Sequence, residues 1–208
     1  MIKFLVFSAI SLMIFKAAAA QSSDEGASLG VKAGVNSSHL NLQDASAKAS
    51  PGFNIGLFSR AAFSKYFAIQ PEFNLNVLHS TVSVQDASNT LQFSMLMSYV
   101  EFAFSGVVTY HKGFFQLGPY ISYLANIQVN NESGSSEQIS DISNRNNFYD
   151  IDYGLDYTAG MQLKRWDIGI RYKQGLFKTG KEKTPGGELS IFRTNKTSVF
   201  TVFGGYYF

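Results

Sequence analysis

The feature that most limits what this chain can become is a strict apolar/polar alternation at period two. Along Phe67-Ala68-Ile69-Gln70-Pro71-Glu72-Phe73-Asn74-Leu75-Asn76-Val77, one set of alternate positions is Phe67, Ile69, Pro71, Phe73, Leu75 and Val77, and the other is Ala68, Gln70, Glu72, Asn74 and Asn76. An extended strand puts these sets on opposite faces, whereas a helix would mix them. The same reading predicts strands at about 29–40, 52–63, 67–78, 95–110, 114–127, 149–163, 167–177 and 197–208. Pro71 and Pro119 lack the ladder donor, so a bulge, or a proline nitrogen lying between hydrogen-bonded pairs, is expected at each.

The connections alternate in length. Ser64-Lys65-Tyr66, His111-Lys112-Gly113 and Lys164-Arg165-Trp166 read as tight turns, while 41–51, 79–94, 128–148 and 178–196 are long and polar. Short turns at one end and long loops at the other are the mark of an outer-membrane barrel, and an even strand count then puts both termini on the periplasmic side. The expected fold is all-β: a single antiparallel up-and-down transmembrane barrel of about eight strands over 29–208.

A basic start at Lys3, an apolar run from Phe4 to Phe15 and Ala17-Ala18-Ala19-Ala20-Gln21 read as a cleavable export signal over 1–20. A short segment, 21–28, follows it. Lys16, next to the apolar run, is atypical of such signals. No later stretch has the roughly 18 consecutive apolar residues of a membrane helix, so entry into a bilayer would have to be by a closed barrel. There is no cysteine, hence no disulfide and no lipoprotein anchor. Without Lys3 and Lys16 the chain has 15 basic and 15 acidic residues, which gives no sign of a nucleic-acid partner.

Alternation alone also fits a soluble, ligand-carrying barrel; what the polar face is made of decides between the two. That face has Gly30, Gly34, Gly56, Gly118, Gly154, Gly160 and Gly169 beside Asn54, Asn74, Ser105, Ser122 and Thr158. Glycine weakens a strand exposed to water but suits the cramped interior of an eight-stranded barrel. Eight charges share the face: Lys32, Arg60, Arg171 and Lys173 with Glu72, Glu101, Asp152 and Asp156. The expectation is a structural plug of ion pairs; an ion path or binding site is the alternative. The apolar face, for example Ile151, Tyr153, Leu155, Tyr157, Ala159, Met161 and Leu163, would meet lipid, with Phe63, Phe67, Tyr110, Phe114 and Phe115 as an aromatic girdle by the short turns.

Several short runs, specific only in their order, resemble the porin-like outer-membrane β-barrel family common in Bacteroidetes and related to PorT. They are Gly30-Val31-Lys32-Ala33-Gly34-Val35-Asn36, Gly52-Phe53-Asn54-Ile55-Gly56-Leu57-Phe58, Ile69-Gln70-Pro71-Glu72, Leu117-Gly118-Pro119-Tyr120 and Ile170-Arg171-Tyr172 with Gly175-Leu176. Tyr99-Val100-Glu101-Phe102 stands where the family often has Tyr-Leu-Glu-Ile-Pro, with Ala103 in place of the proline. The end, Phe203-Gly204-Gly205-Tyr206-Tyr207-Phe208, resembles a barrel-insertion signal carried by Tyr206 and Phe208, although Phe203 stands where glycine is common. The resemblance implies fold and location far more than activity.

Catalytic and cofactor motifs are absent, and His39, His79 and His111 lie far apart without metal-ligand spacing, so no enzyme, cofactor or metal is expected. His79-Ser80 is the one pair suggestive of a membrane-embedded lipid hydrolase. Lys178, Lys181, Lys183, Arg193 and Lys196 make the last long connection basic, and the one before it is acidic; contact of the basic loop with lipopolysaccharide phosphates follows as an expectation. Expected partners are outer-membrane lipid, lipopolysaccharide and the barrel-insertion machinery, with the chain a monomer. Its role is expected to be structural or to run through the outer loops, with a narrow channel or small-ligand transporter as the alternative.

Overall fold

The computed structural model describes residues 28–40, 46–85, 90–133, 149–176 and 197–208. They form eight strands: β1 (Ser28–Leu40), β2 (Ser46–Ala62), β3 (Phe67–Gln85), β4 (Thr90–Tyr110), β5 (Gly113–Ser133), β6 (Ile151–Leu163), β7 (Trp166–Gly175) and β8 (Thr197–Tyr207). Each pairs antiparallel with its chain neighbour, and β1 closes on β8 from Gly30↔Tyr207 to Leu40↔Thr197. Closure removes both sheet edges and satisfies the ladder around the whole circumference. No helix among the described residues is long and apolar enough to cross a membrane, which says nothing against crossing by strands.

The alternation survives intact in three dimensions. Ala68, Gln70, Glu72, Asn74 and Asn76 are buried in the lumen, while the outward Ile55, Leu75, Ile121, Ile170 and Val202 are each 47–53% exposed. So broad an apolar belt on the outside and a polar filling within is the reverse of a soluble carrier barrel, and fits a molecule whose solvent is lipid. The expected girdle is present at the short-turn end: Phe63, Tyr66, Phe67, Tyr110, Phe115, Trp166 and Phe208 are exposed there. Trp166 and Phe208 each meet Tyr206 edge-on, at ring-centroid distances of 5.0 and 6.2 Å. Phe114 departs from expectation. Its parity is that of Gln116 and Gly118, and it is buried inside with Ala68, Val107 and Phe203.

The strands also differ from the sequence reading in length. β7 has 10 residues, which at about 3.3 Å per residue and a tilt near 40° cross about 25 Å, the height of a membrane apolar band. β4 and β5 have 21 each, and β2 and β3 also run past the expected ends. The excess lies at the long-connection end, so segments expected as loops at 79–94 and 128–133 are largely ladder. The sequence still alternates there, as in Thr81-Val82-Ser83-Val84-Gln85 and Thr90-Leu91-Gln92-Phe93-Ser94, but its apolar positions change parity: Leu78, Met95 and Met97 are buried in the lumen, so the polar-inside pattern no longer marks the strand.

Neither Pro71 nor Pro119 produces a bulge. Partners pass from Phe58↔Glu72 to Ala61↔Ile69 and from Ala103↔Tyr120 to Gly106↔Leu117 at unchanged register. The irregularities fall instead at Ser50/Phe53 in the β2–β3 ladder and at Gln92/Phe93 and Ser98/Tyr99 in the β4–β5 ladder. At the short turns His111 (φ 54°) and Lys164 (φ 58°) adopt the left-handed conformation. Ser64 Oγ accepts from the N–H of Phe67 at 3.0 Å in the first turn.

Candidate functional site

The lumen is where the chemistry concentrates, and it is built from residues that alternate with lipid-facing ones on every strand. At its centre Glu72, 0% exposed, accepts from Arg171 Nη2 at 2.9 and 2.8 Å, from Gln70 Nε2 at 2.6 Å and from Asn74 Nδ2 at 3.2 Å. Lys32 Nζ pairs with the same carboxylate. Arg171 Nε donates to Thr158 Oγ1 at 3.1 Å and lies 3.2 Å from Asp156 Oδ2, and Thr158 in turn donates to Asp156 Oδ1 at 3.0 Å. Towards the long-connection end Lys173 Nζ holds both oxygens of Glu101 at 2.5 and 2.7 Å, and Asn74 and Ser122 each donate to Glu101 at 3.1 Å. All eight charges singled out from the sequence are buried on this one face.

Sequence reading missed a ninth. Asp167 accepts from Arg60 Nη2 at 3.0 Å and from the Tyr207 hydroxyl at 2.8 Å, while Arg60 Nε donates to Gln70 Oε1 at 2.6 Å. Its signal was available: Asp167 shares parity with Gly169, Arg171 and Lys173. Counting it, four basic and five acidic side chains of the described residues are buried in the lumen. Asp152 is the acid with no ion pair among those of the described residues; the Tyr120 hydroxyl donates to its Oδ2 at 3.4 Å.

Interior aromatic rings were missed as well, and they explain the glycines. Gly30↔Phe58, Gly34↔Phe203, Gly169↔Phe203, Gly160↔Phe114 and Gly154↔Tyr120 are direct cross-strand partners. A Cβ on Gly160 would lie 2.6 Å from the Phe114 ring, one on Gly169 2.9 Å from that of Phe203, and one on Gly154 2.8 Å from that of Tyr120. Each ring therefore reaches the place where a glycine partner has no side chain, covering backbone that glycine alone would leave bare. The rings also face the cations: Arg60 lies 4.8 Å from the Phe114 centroid, Lys32 5.4 Å and Arg171 5.6 Å from that of Phe203. Phe58, Phe114 and Phe203 close the lumen towards the short turns; Leu78, Met95, Met97 and Leu124, each at most 4% exposed, fill it towards the other end.

His79 and Ser80 do not form a catalytic pair. Adjacent strand residues point to opposite faces, and Ser80 faces the lumen, where its hydroxyl lies 3.0 Å from that of Ser38. No group of three or more His, Cys, Asp or Glu side chains among the described residues is arranged to hold a metal ion. Lys178, Lys181, Lys183, Arg193 and Lys196 lie outside the described residues, as do the signal at 1–20 and nearly all of 21–28.

The family described as outer membrane protein beta-barrel domain matches residues 19–180. The chain belongs to this family. It is a small outer-membrane β-barrel protein, and the closed eight-stranded barrel with an apolar exterior is the architecture expected of one. No curated protein matches the sequence. Solved structures similar to this barrel include Ail, the attachment invasion locus protein of Yersinia pestis, in complex with the heparin analogue sucrose octasulfate: 14% identity, 88% of this chain and 99% of that one, TM-score 0.43. Others are neisserial surface protein A, at 12% identity, 88% and 100% coverage and TM-score 0.41, and OprG from Pseudomonas aeruginosa, at 12%, 87% and 95%, and 0.38.

Proposed function

We propose that this is a non-enzymatic outer-membrane barrel whose lumen is a load-carrying plug and whose contacts are made by the end bearing the long connections. The observation that carries the reading is the packing of the lumen: Glu72, Glu101, Arg171 and Lys173 are each at most 4% exposed and are held by one another. Aromatic rings lie on one side of them and Leu78, Met95, Met97 and Leu124 on the other. A conduit for ions needs a continuous file of water, and side chains occupy that space here. Recording current across a planar bilayer tests this: silence is the expected result, and reproducible current steps would replace the plug by a narrow channel.

The extended strands β2 to β5 support the outward part of the reading, since at 17 to 21 residues they run past the height of a membrane apolar band at the long-connection end. In this proposal the termini are periplasmic, residues 1–20 are removed on export, the chain acts as a monomer, and it is of the PorT-related type. Tyr206 and Phe208 serve the insertion machinery. Lys178, Lys181, Lys183, Arg193 and Lys196 meet lipopolysaccharide phosphates. Replacing those five by glutamine should weaken lipopolysaccharide binding; unchanged binding would end that part of the proposal.

A further inference from the structure

A recess opens at the long-connection end of the lumen, where β6, β7 and β8 stop short. Asn76, Leu78, Tyr99, Glu101, Tyr120, Ser122, Asp152, Lys173, Thr197 and Val199 form its walls. It is blind, because the Glu101–Lys173 pair and the Glu72–Arg171 pair lie beneath it. Its formal charge is negative: Glu101 and Lys173 cancel, and Asp152 remains. Asp152 is 9% exposed, and its Oδ1 is buried with no hydrogen-bond partner among the described residues. An ionised oxygen buried and unpartnered is costly, and a cation set against it offsets that cost.

We propose that this recess binds a small monovalent cation of ammonium size, held by Asp152. The space within the walls admits a water-sized group, which suits an ion of that size. The donors of such an ion suit the walls: Asp152 Oδ1 accepts a charge-assisted hydrogen bond, and the Ser122 hydroxyl offers lone pairs. The Tyr120 ring already lies 5.7 Å from Lys173 Nζ, so an aromatic face is turned to positive charge at this depth. Asn76 Nδ2 is the other unpartnered atom on the walls, and turning its amide by 180° puts an acceptor in its place. Gly175 marks the mouth, since a Cβ there would lie 3.3 Å from Asp152 Oδ1.

The test is a titration of the folded barrel in detergent micelles with ammonium chloride, following backbone amide NMR shifts, against tetramethylammonium chloride at equal ionic strength. Ammonium should give saturable shifts centred on Asp152, Gly175 and Ser122, and tetramethylammonium should not. Asp152→Asn should weaken the response at least about tenfold, the loss expected of one charge-assisted hydrogen bond. Asp150→Asn, changing an exposed acid two residues away, should leave it intact. Equal shifts with both salts, or a full response in Asp152→Asn, would overturn the proposal. Should Asp152→Asn fail to fold, Gly175→Ala, which sets a methyl group beside Oδ1, makes the same comparison.

Discussion

Replacing Glu72 by glutamine keeps the shape of the side chain and removes one negative charge from the centre of the lumen. The structure fixes the consequence. Arg171 retains Asp156 and Thr158, but Lys32 loses its ion-pair partner and keeps a neutral amide oxygen, the ring faces of Phe58 and Phe203 and the more weakly felt charge of Asp156. Breaking a buried pair by removing one partner costs about 3–5 kcal/mol, because the surviving charge stays buried. Lys32→Met should cost less, since Glu72 remains neutralised by Arg171. The double variant Glu72→Gln with Lys32→Met should then recover about 1–3 kcal/mol relative to Glu72→Gln alone, the coupling of residues in one network. Equilibrium urea unfolding of the barrel in lipid vesicles reads these differences, with unchanged slopes required for the comparison. A Glu72→Gln variant within about 0.5 kcal/mol of wild type, or a penalty erased by molar salt, would show a hydrated and screened lumen and refute the plug.

Gly160→Ala drives a methyl group to 2.6 Å from both the Ile168 carbonyl and the Phe114 ring, and should destabilise the barrel by about 1–3 kcal/mol in the same assay. Tyr207→Phe removes the 2.8 Å hydrogen bond to Asp167 and should cost about 1 kcal/mol in the same assay. Lys164→Gly relieves a left-handed backbone at φ 58° and should raise stability, by about 1 kcal/mol at most, once glycine's greater freedom in the unfolded chain is counted. Trp166 is the chain's single tryptophan and stands in the girdle, so its fluorescence should be quenched more by bromines near the lipid headgroups than by bromines at the acyl ends.

Parity made the barrel legible. Once Phe73 and Leu75 are assigned to one face and Glu72 and Asn74 to the other, the lumen charges follow strand by strand. What parity does not give is register. That Gly160 lies opposite Phe114, or that Glu72 meets an arginine 99 residues further along, depends on how strands shear past one another on closure. Aromatic residues near turns usually face lipid, which places Phe114 in the girdle, yet it shares a face with Gln116, and the space above Gly160 holds it inside. The outer ends of β3 and β4 are less legible for another reason: from Leu78 in β3, and up to Met97 in β4, the apolar residues take the parity of the lumen.

The chain contains no cysteine, so single cysteines can carry a spin label without other changes. The most direct test of the account is collision of such labels with oxygen, which concentrates in lipid, and with a water-soluble nickel complex, in the barrel reconstituted in vesicles. Labels at Leu75, Ile121, Leu155 and Val202 should collide with oxygen and be shielded from nickel. Ready collision of those labels with nickel would mean that this face meets water, and the membrane-embedded barrel would be wrong.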